Sequence, residues 1–164
     1  MYRAVILFFL LISFTGLSQE MNEKSFDFWV GEWDLSWTNA KGTTIKGNNS
    51  IVKILDGKVI QENFTDPSTG FKGTSISVFN PQTKQWHQAW ADSQGGYIDL
   101  IGAMDGEKRI FKTKPVQQGD KKVVRRMVFK DISENGFTWD WESTTDGGEN
   151  WKLLWRIEYS KKAH

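Results

Sequence analysis

At 164 residues with 38% hydrophobic content and no shift in composition along its length, the chain has room for one domain. Its 21 basic and 20 acidic residues are scattered, apart from pairs such as Lys121-Lys122, Arg125-Arg126 and Lys161-Lys162. The basic stripe of a nucleic-acid-binding protein is missing, and the lack of cysteine excludes both a disulfide framework and thiol catalysis.

Residues 1–18 read as an export signal. Arg3 supplies a basic start, Ala4 to Phe14 is an almost unbroken apolar run, and Gly16 and Ser18 are small residues where a signal peptidase reads. A membrane anchor would need roughly 20 apolar residues, about twice what this run supplies. Cleavage after Ser18 leaves a domain over residues 19–164 with equal numbers of acidic and basic side chains and no membrane span. Without a cysteine to carry a lipid, the expected product is periplasmic or secreted and is not a lipoprotein. A domain of this size buries roughly two thirds of its unfolded surface, enough for a core that needs no cross-links.

Glu23 to Val30 suits one or two helical turns. After it come ten short alternating runs that predict strands: Glu32 to Asn39, Lys46 to Leu55, Lys58 to Thr65, Phe71 to Asn80, Gln85 to Asp92, Gly96 to Ala103, Lys108 to Thr113, Lys122 to Asp131, Phe137 to Ser143 and Trp151 to Ser160. Asp56-Gly57, Asp105-Gly106 and Asn135-Gly136 suit tight hairpins with positive φ, and "DPSTG" and "NPQTK" suit longer turns. Hairpin links without helix-length connections give a meander, and a meander this long avoids open edges by closing on itself. The prediction is an all-β, antiparallel up-and-down barrel. "STTDGGENW" carries T-x-D-x-G-x-x-W, an Asp-box-like pattern; as a single copy it reads as an Asp-stapled turn rather than a propeller blade.

The nine tryptophans fall in groups with even spacing: Trp29, Trp33 and Trp37; Trp86 and Trp90; Trp139 and Trp141; Trp151 and Trp155. A strand alternates faces with period two, so each group shares one face. With those faces turned inward, Trp151, Leu153, Trp155, Ile157 and Tyr159 lie inside on the last strand, and Gln88 and Asp92 join Trp86 and Trp90 on the fifth. Buried polar groups need partners, protein or ligand. The indoles either plug the barrel or line a cavity, and ten strands enclose more space than the eight that side chains just fill.

"FDFWVGEWDL", followed by the meander and the late "DGGENW" turn, resembles a widespread domain-of-unknown-function family of short, often exported bacterial proteins opened by F-x-x-x-x-G-x-W. That family looks like a branch of the calycins, the barrel superfamily of lipocalins, fatty-acid-binding proteins and nitrobindin-type haem proteins. The resemblance implies that Gly31 and Trp33 pack across a closed barrel end with Phe28 beneath, covered by a basic residue of the last strand, for which Arg156 is the candidate. It also locates a departure: haem-binding members use a histidine late in the chain, whereas here the histidines are His87 and the terminal His164. No cofactor and no metal is expected.

Motifs for hydrolytic triads and zinc are missing, which leaves carboxylates. Asp140 and Glu142 share a strand face opposite Trp139 and Trp141, so they are expected to meet solvent. Glu62, Asp92 and Asp99 are candidates for the interior. The strand "KKVVRRMVF" is apolar on both sides, which forces Arg125 or Arg126 inward; Val123, Arg125, Met127 and Phe129 are the more apolar set, and an inward Arg125 would need a carboxylate or an anionic ligand. The reading is therefore an exported barrel that binds an apolar or aromatic small molecule through Trp86, Gln88, Trp90, Asp92, Arg125, Trp139, Trp141 and Glu62. Two alternatives stand beside it: an isomerase- or hydrolase-like enzyme using Glu62 or Asp92, and a plugged barrel that acts through its surface.

Overall fold

The structure is a computed structural model that describes residues 20–163; the expected export signal at 1–18 lies outside them, as does His164. Among these residues eleven strands form: β1 (Gly31–Thr38), β2 (Thr44–Ile54), β3 (Val59–Asp66), β4 (Phe71–Asn80), β5 (Gln85–Asp92), β6 (Tyr97–Asp105), β7 (Lys108–Lys112), β8 (Val116–Gln118), β9 (Lys121–Lys130), β10 (Gly136–Thr144) and β11 (Lys152–Lys161). Pairing runs antiparallel from β1 through β7, passes to β9, β10 and β11, and returns from β11 to β1. The result is a closed ten-strand barrel of the up-and-down, lipocalin-like kind, with no free edge around its wall.

β8 was not legible as a separate element. It pairs with the far end of β9, at Lys121 to Val123, while β7 pairs with Arg126 to Phe129 of the same strand. Pro115 lies between the two short strands and has no N–H to give the ladder, so one stave is split.

Alternation sends Trp33, Leu35 and Trp37 of β1, Ile60, Glu62 and Phe64 of β3, Trp86, Gln88 and Trp90 of β5, and Trp139 and Trp141 of β10 inward. Eight of the nine tryptophans belong to this core or pack against it. The ninth, Trp151, differs from expectation. Between Trp141 and Glu142 the register of β10 on β11 slips, so that Trp141 faces Trp155 while Glu142 faces Leu153, and Leu154 is the extra residue. The bulge resets the alternation. Leu153 is left 44% exposed, and the Trp151 ring lies beneath the Arg126 guanidinium, 3.7 Å from its centroid.

One end of the barrel is sealed by the segment before β1. A short 3-10 helix, Asp27–Trp29, follows Phe26, which is fully buried. Phe26 stacks on Phe111 at 4.3 Å and meets Trp86 and Phe129 edge-on, while Phe28 packs edge-on against Phe129 and Phe137. Three side-chain donors pin this lid by its carbonyls: Trp33 Nε1 to Trp29 (2.8 Å), Trp86 Nε1 to Asn22 (2.9 Å) and Arg109 Nε to Ser25 (3.2 Å). Gly31, at φ 150°, lets the chain turn from the lid into β1 in a conformation that L side chains rarely adopt.

Phe28, Gly31 and Trp33 thus sit at the closed end, but Arg156 does not. Its guanidinium forms a two-pronged ion pair with Asp140 on the outer wall, at 2.6 and 2.7 Å. The strand register explains this, since Arg156 is paired with Asp140 while Trp33 is paired with Lys161, five residues further along. Basic residues that do reach the lid are Arg109 of β7, at the Ser25 carbonyl, and Lys53 of β2, at the Asp27 carboxylate (2.7 Å).

The turns follow their predicted chemistry with one exception. Gly57 and Gly106 have positive φ, and Asp146 gathers the amides of Gly148, Glu149 and Asn150 together with the Thr144 hydroxyl, stapling the last hairpin. Gly136 instead opens β10 in ordinary extended backbone, and a Cβ there would collide with the Tyr159 carbonyl oxygen. Its smallness serves close strand approach, and the positive φ of that connection belongs to Asp131.

Candidate functional site

The interior is divided along the barrel axis. The lid end is filled by aromatic side chains, and the other end encloses a cavity of about 200 Å³ lined by Glu62, Phe64, Phe71, Trp90, Asp92, Ile98, Met127, Trp139, Trp141, Trp155, Ile157 and Tyr159. Plug and container are both present, one in each half.

The indole walls have defined angles. Trp139 and Trp141, two apart on β10, lie nearly parallel at 7° with centroids 6.4 Å apart, and Trp155 of β11 stands at 87° to Trp139, 5.8 Å away. Phe64 bridges the cluster, edge-on to Trp90, Trp155 and Phe71. Trp90 lies flat over β4 because the residue beneath it is Gly73, where a Cβ would collide with the indole. This is the one aromatic wall that depends on a missing side chain.

Glu62 supplies the polar floor. It is 5% exposed, and none of the ion pairs among the described residues involves it. Asn49 Nδ2 donates to its Oε1 at 2.7 Å and Ser75 Oγ donates to its Oε2 at 2.7 Å. Burial outweighs those two donors and raises its pKa from 4.5 to about 7. Asn49 also donates to the Tyr159 hydroxyl at 3.0 Å, and Gln88 Nε2 donates to Ser75 and Ser77 at 3.2 and 3.1 Å. The Tyr159 hydroxyl is pushed well above its usual value by burial and by the nearby Glu62 charge. Two buried acceptors, Asn49 Oδ1 and Gln88 Oε1, have no hydrogen-bond partner among the described residues. An orphaned buried acceptor costs about 1–3 kcal/mol.

Asp92 stands at the rim, where β5 ends. Its Oδ1 accepts the amides of Gln94 and Gly96, each at 2.9 Å, and its Oδ2 accepts Trp90 Nε1 at 3.3 Å. The two backbone donors hold its pKa below the usual carboxylate range, so it is a turn-forming anion at the entrance.

The structure thus brings Glu62, Trp90, Asp92, Trp139 and Trp141 together around one cavity, with Gln88 behind Glu62 by two hydrogen bonds through Ser75. Trp86 and Arg125 fall elsewhere. Trp86 is in the plugged half and is committed to the lid. Arg125 is exposed, its amide bonded to the Thr113 hydroxyl. The arginine that β9 shelters is Arg126, paired with Glu142 at 2.6 Å on the outer wall. Asp99 is exposed and accepts the Tyr97 hydroxyl. Asp140 does lie on the outer wall, yet it is only 1% exposed, because Arg156 and Lys130 close over it. Burial alone would raise its pKa, but hydrogen bonds from those two cations hold it low.

Sequence reading missed Asn49, Ser75 and Tyr159 as members of the site. Each sits on the inward phase of its strand, and a polar residue recurring in that phase, as Ser75 and Ser77 do, is the available signal.

Among the described residues, no helix is long and apolar enough to cross a membrane, and no group of three or more metal-ligating side chains is assembled. A scan against protein-family models finds no match to the chain, and a search of curated proteins finds none either.

Proposed function

We propose that the chain is an exported, calycin-type barrel that binds a small apolar or aromatic molecule in the open half of its interior. The carrying observation is a cavity of about 200 Å³ walled by four indoles and floored by a carboxylate and a phenol. An apolar cavity of roughly 150 Å³ takes up benzene, so the volume suits a ligand built on one ring. Glu62 and Tyr159 give its polar end an orientation, and the indoles give it area and dispersion contact. Asp92 and the turns around it form the entrance.

Native mass spectrometry of the protein taken from its own host tests this reading. A retained organic molecule of single-ring size supports it. Unliganded protein that also fails to bind simple aromatic hydrocarbons overturns it.

A second reading is favoured by Glu62 itself. A buried carboxylate without an ion-pair partner, whose pKa of about 7 lies near neutrality, has the properties of a general base or acid. In that reading the barrel is an enzyme of the isomerase or hydrolase kind. Turnover of a bound ligand that survives in Glu62→Gln removes it.

A further inference from the structure

Resting on the cavity reading, we propose that the ligand is a small organic cation, its ammonium head set against Glu62 and its body enclosed by the indoles of Trp90, Trp139, Trp141 and Trp155. Charge is the first argument. The ionisable side chains lining the cavity are Glu62, Asp92 and Tyr159, with no lysine, arginine or histidine among them. The one arginine that strand alternation aims at this space, Arg125, is exposed instead. A cation is attracted into such a site and an anion is repelled.

Hydrogen bonding gives the second argument. Asn49 Oδ1 and Gln88 Oε1 are buried acceptors without donors, and Glu62 receives only one donor on each oxygen. Neither amide oxygen lines the cavity, so the group a ligand meets there is Glu62, whose oxygens can each take a further donor or face a positive charge. Wall geometry is the third. Indole faces attract cations, and Trp139 and Trp155 at 87° present walls in two perpendicular planes, the arrangement of an aromatic cage.

The opposing case is a neutral ligand whose carbonyl accepts a proton from neutral Glu62. The two cases differ in sign with pH. Glu62 faces Asn49 of β2, Ser75 of β4 and Tyr159 of β11, with Asp92 at the rim as the other titratable group. Asp92 is held ionised by its backbone donors and Tyr159 stays protonated, so near neutrality the response belongs to Glu62. A cation requires ionised Glu62 and binds more tightly as pH rises through about 7.

The test titrates the full chain by tryptophan fluorescence and calorimetry with phenyltrimethylammonium, a permanent cation, and with tert-butylbenzene, its uncharged equivalent in shape. The expected result is at least tenfold tighter binding of the cation, weakening by up to tenfold per pH unit below about 7. Glu62→Gln, which keeps the side-chain shape, should remove that preference and its pH dependence. Equal or tighter binding of the hydrocarbon by the wild type overturns the cation assignment and leaves the cavity reading standing. If neither molecule binds, both fail. The wild-type comparison decides the matter even if the Glu62 variant does not fold.

Discussion

The side-chain amide of Asn49 donates to Glu62 at 2.7 Å inside a sealed wall of paired strands, and no cation among the described residues pairs with that carboxylate. This bond connects the fold to the proposed site. β2 and β3 are adjacent staves, and their register places Asn49 beside Phe64 and Ile51 beside Glu62. A polar group is thereby set into a largely apolar interior, where an unsatisfied group is costly.

Glu62 makes stability depend on pH in a direction unusual for a carboxylate. Its folded-state pKa of about 7 lies above its ordinary value of 4.5, so the folded protein holds the proton more tightly. The stability this lends is fully present below about pH 4.5 and is lost as pH rises through about 7, by roughly 3 kcal/mol in all at about 1.4 kcal/mol per unit. Asp66, Asp92, Asp140 and Asp146 shift the opposite way, and their contributions are lost only in acid. Urea unfolding at pH 5 and pH 8 should therefore show a lower midpoint at pH 8, and Glu62→Gln should flatten the difference.

Gly73 determines how far Trp90 stands from the cavity centre. In Gly73→Ala the new methyl group collides with the indole and forces it toward the cavity. We expect a loss of about 1–3 kcal/mol in stability, typical of an overpacked interior. Ligand affinity should fall at least tenfold, read by calorimetry against the wild type.

Much of this was legible in the sequence, for a physical reason. Period-two alternation and turn residues specify strands and closure, so the ten barrel staves and the inward phase of Trp86, Gln88, Trp90, Trp139 and Trp141 follow directly. What alternation cannot place is position along the barrel axis. Trp86 and Trp90 share a face, yet four residues of strand separate them by roughly 13 Å, enough to put one in the plug and the other at the cavity. Bulges are equally hidden, and the slip at Leu154 is what removed Trp151 and Leu153 from the interior. Arg125 was misplaced because an apolar phase was allowed to carry it inward past the stretch that β7 covers, into the gap before β9 meets the short β8.

The two halves of the interior should respond independently. Trp86→Phe removes the donor to the Asn22 carbonyl and should speed amide exchange in the lid, residues 20–30, without changing affinity for a cavity ligand. Trp139→Ala should do the reverse, lowering affinity at least tenfold while lid exchange stays as it was. Hydrogen exchange and a fluorescence titration on both variants check this.

On the outer wall, Asp140 is shared by Arg156 and Lys130, at 2.6 and 2.7 Å. Asp140→Ala strands two cations, whereas Arg156→Ala leaves the carboxylate one partner. The first should cost about 2–3 kcal/mol and the second about 1 kcal/mol, because Arg156 is half exposed and its charge is screened. Chemical denaturation of the two variants gives the order.

The open half of this barrel is an accessible space between indoles, which a crystal structure under xenon pressure tests. Xenon density between Trp90, Trp139 and Trp155, above Glu62, is the predicted result. Trp90 collapsed onto the edge-to-face pair of Trp139 and Trp155, with no xenon between them, would rule the space out.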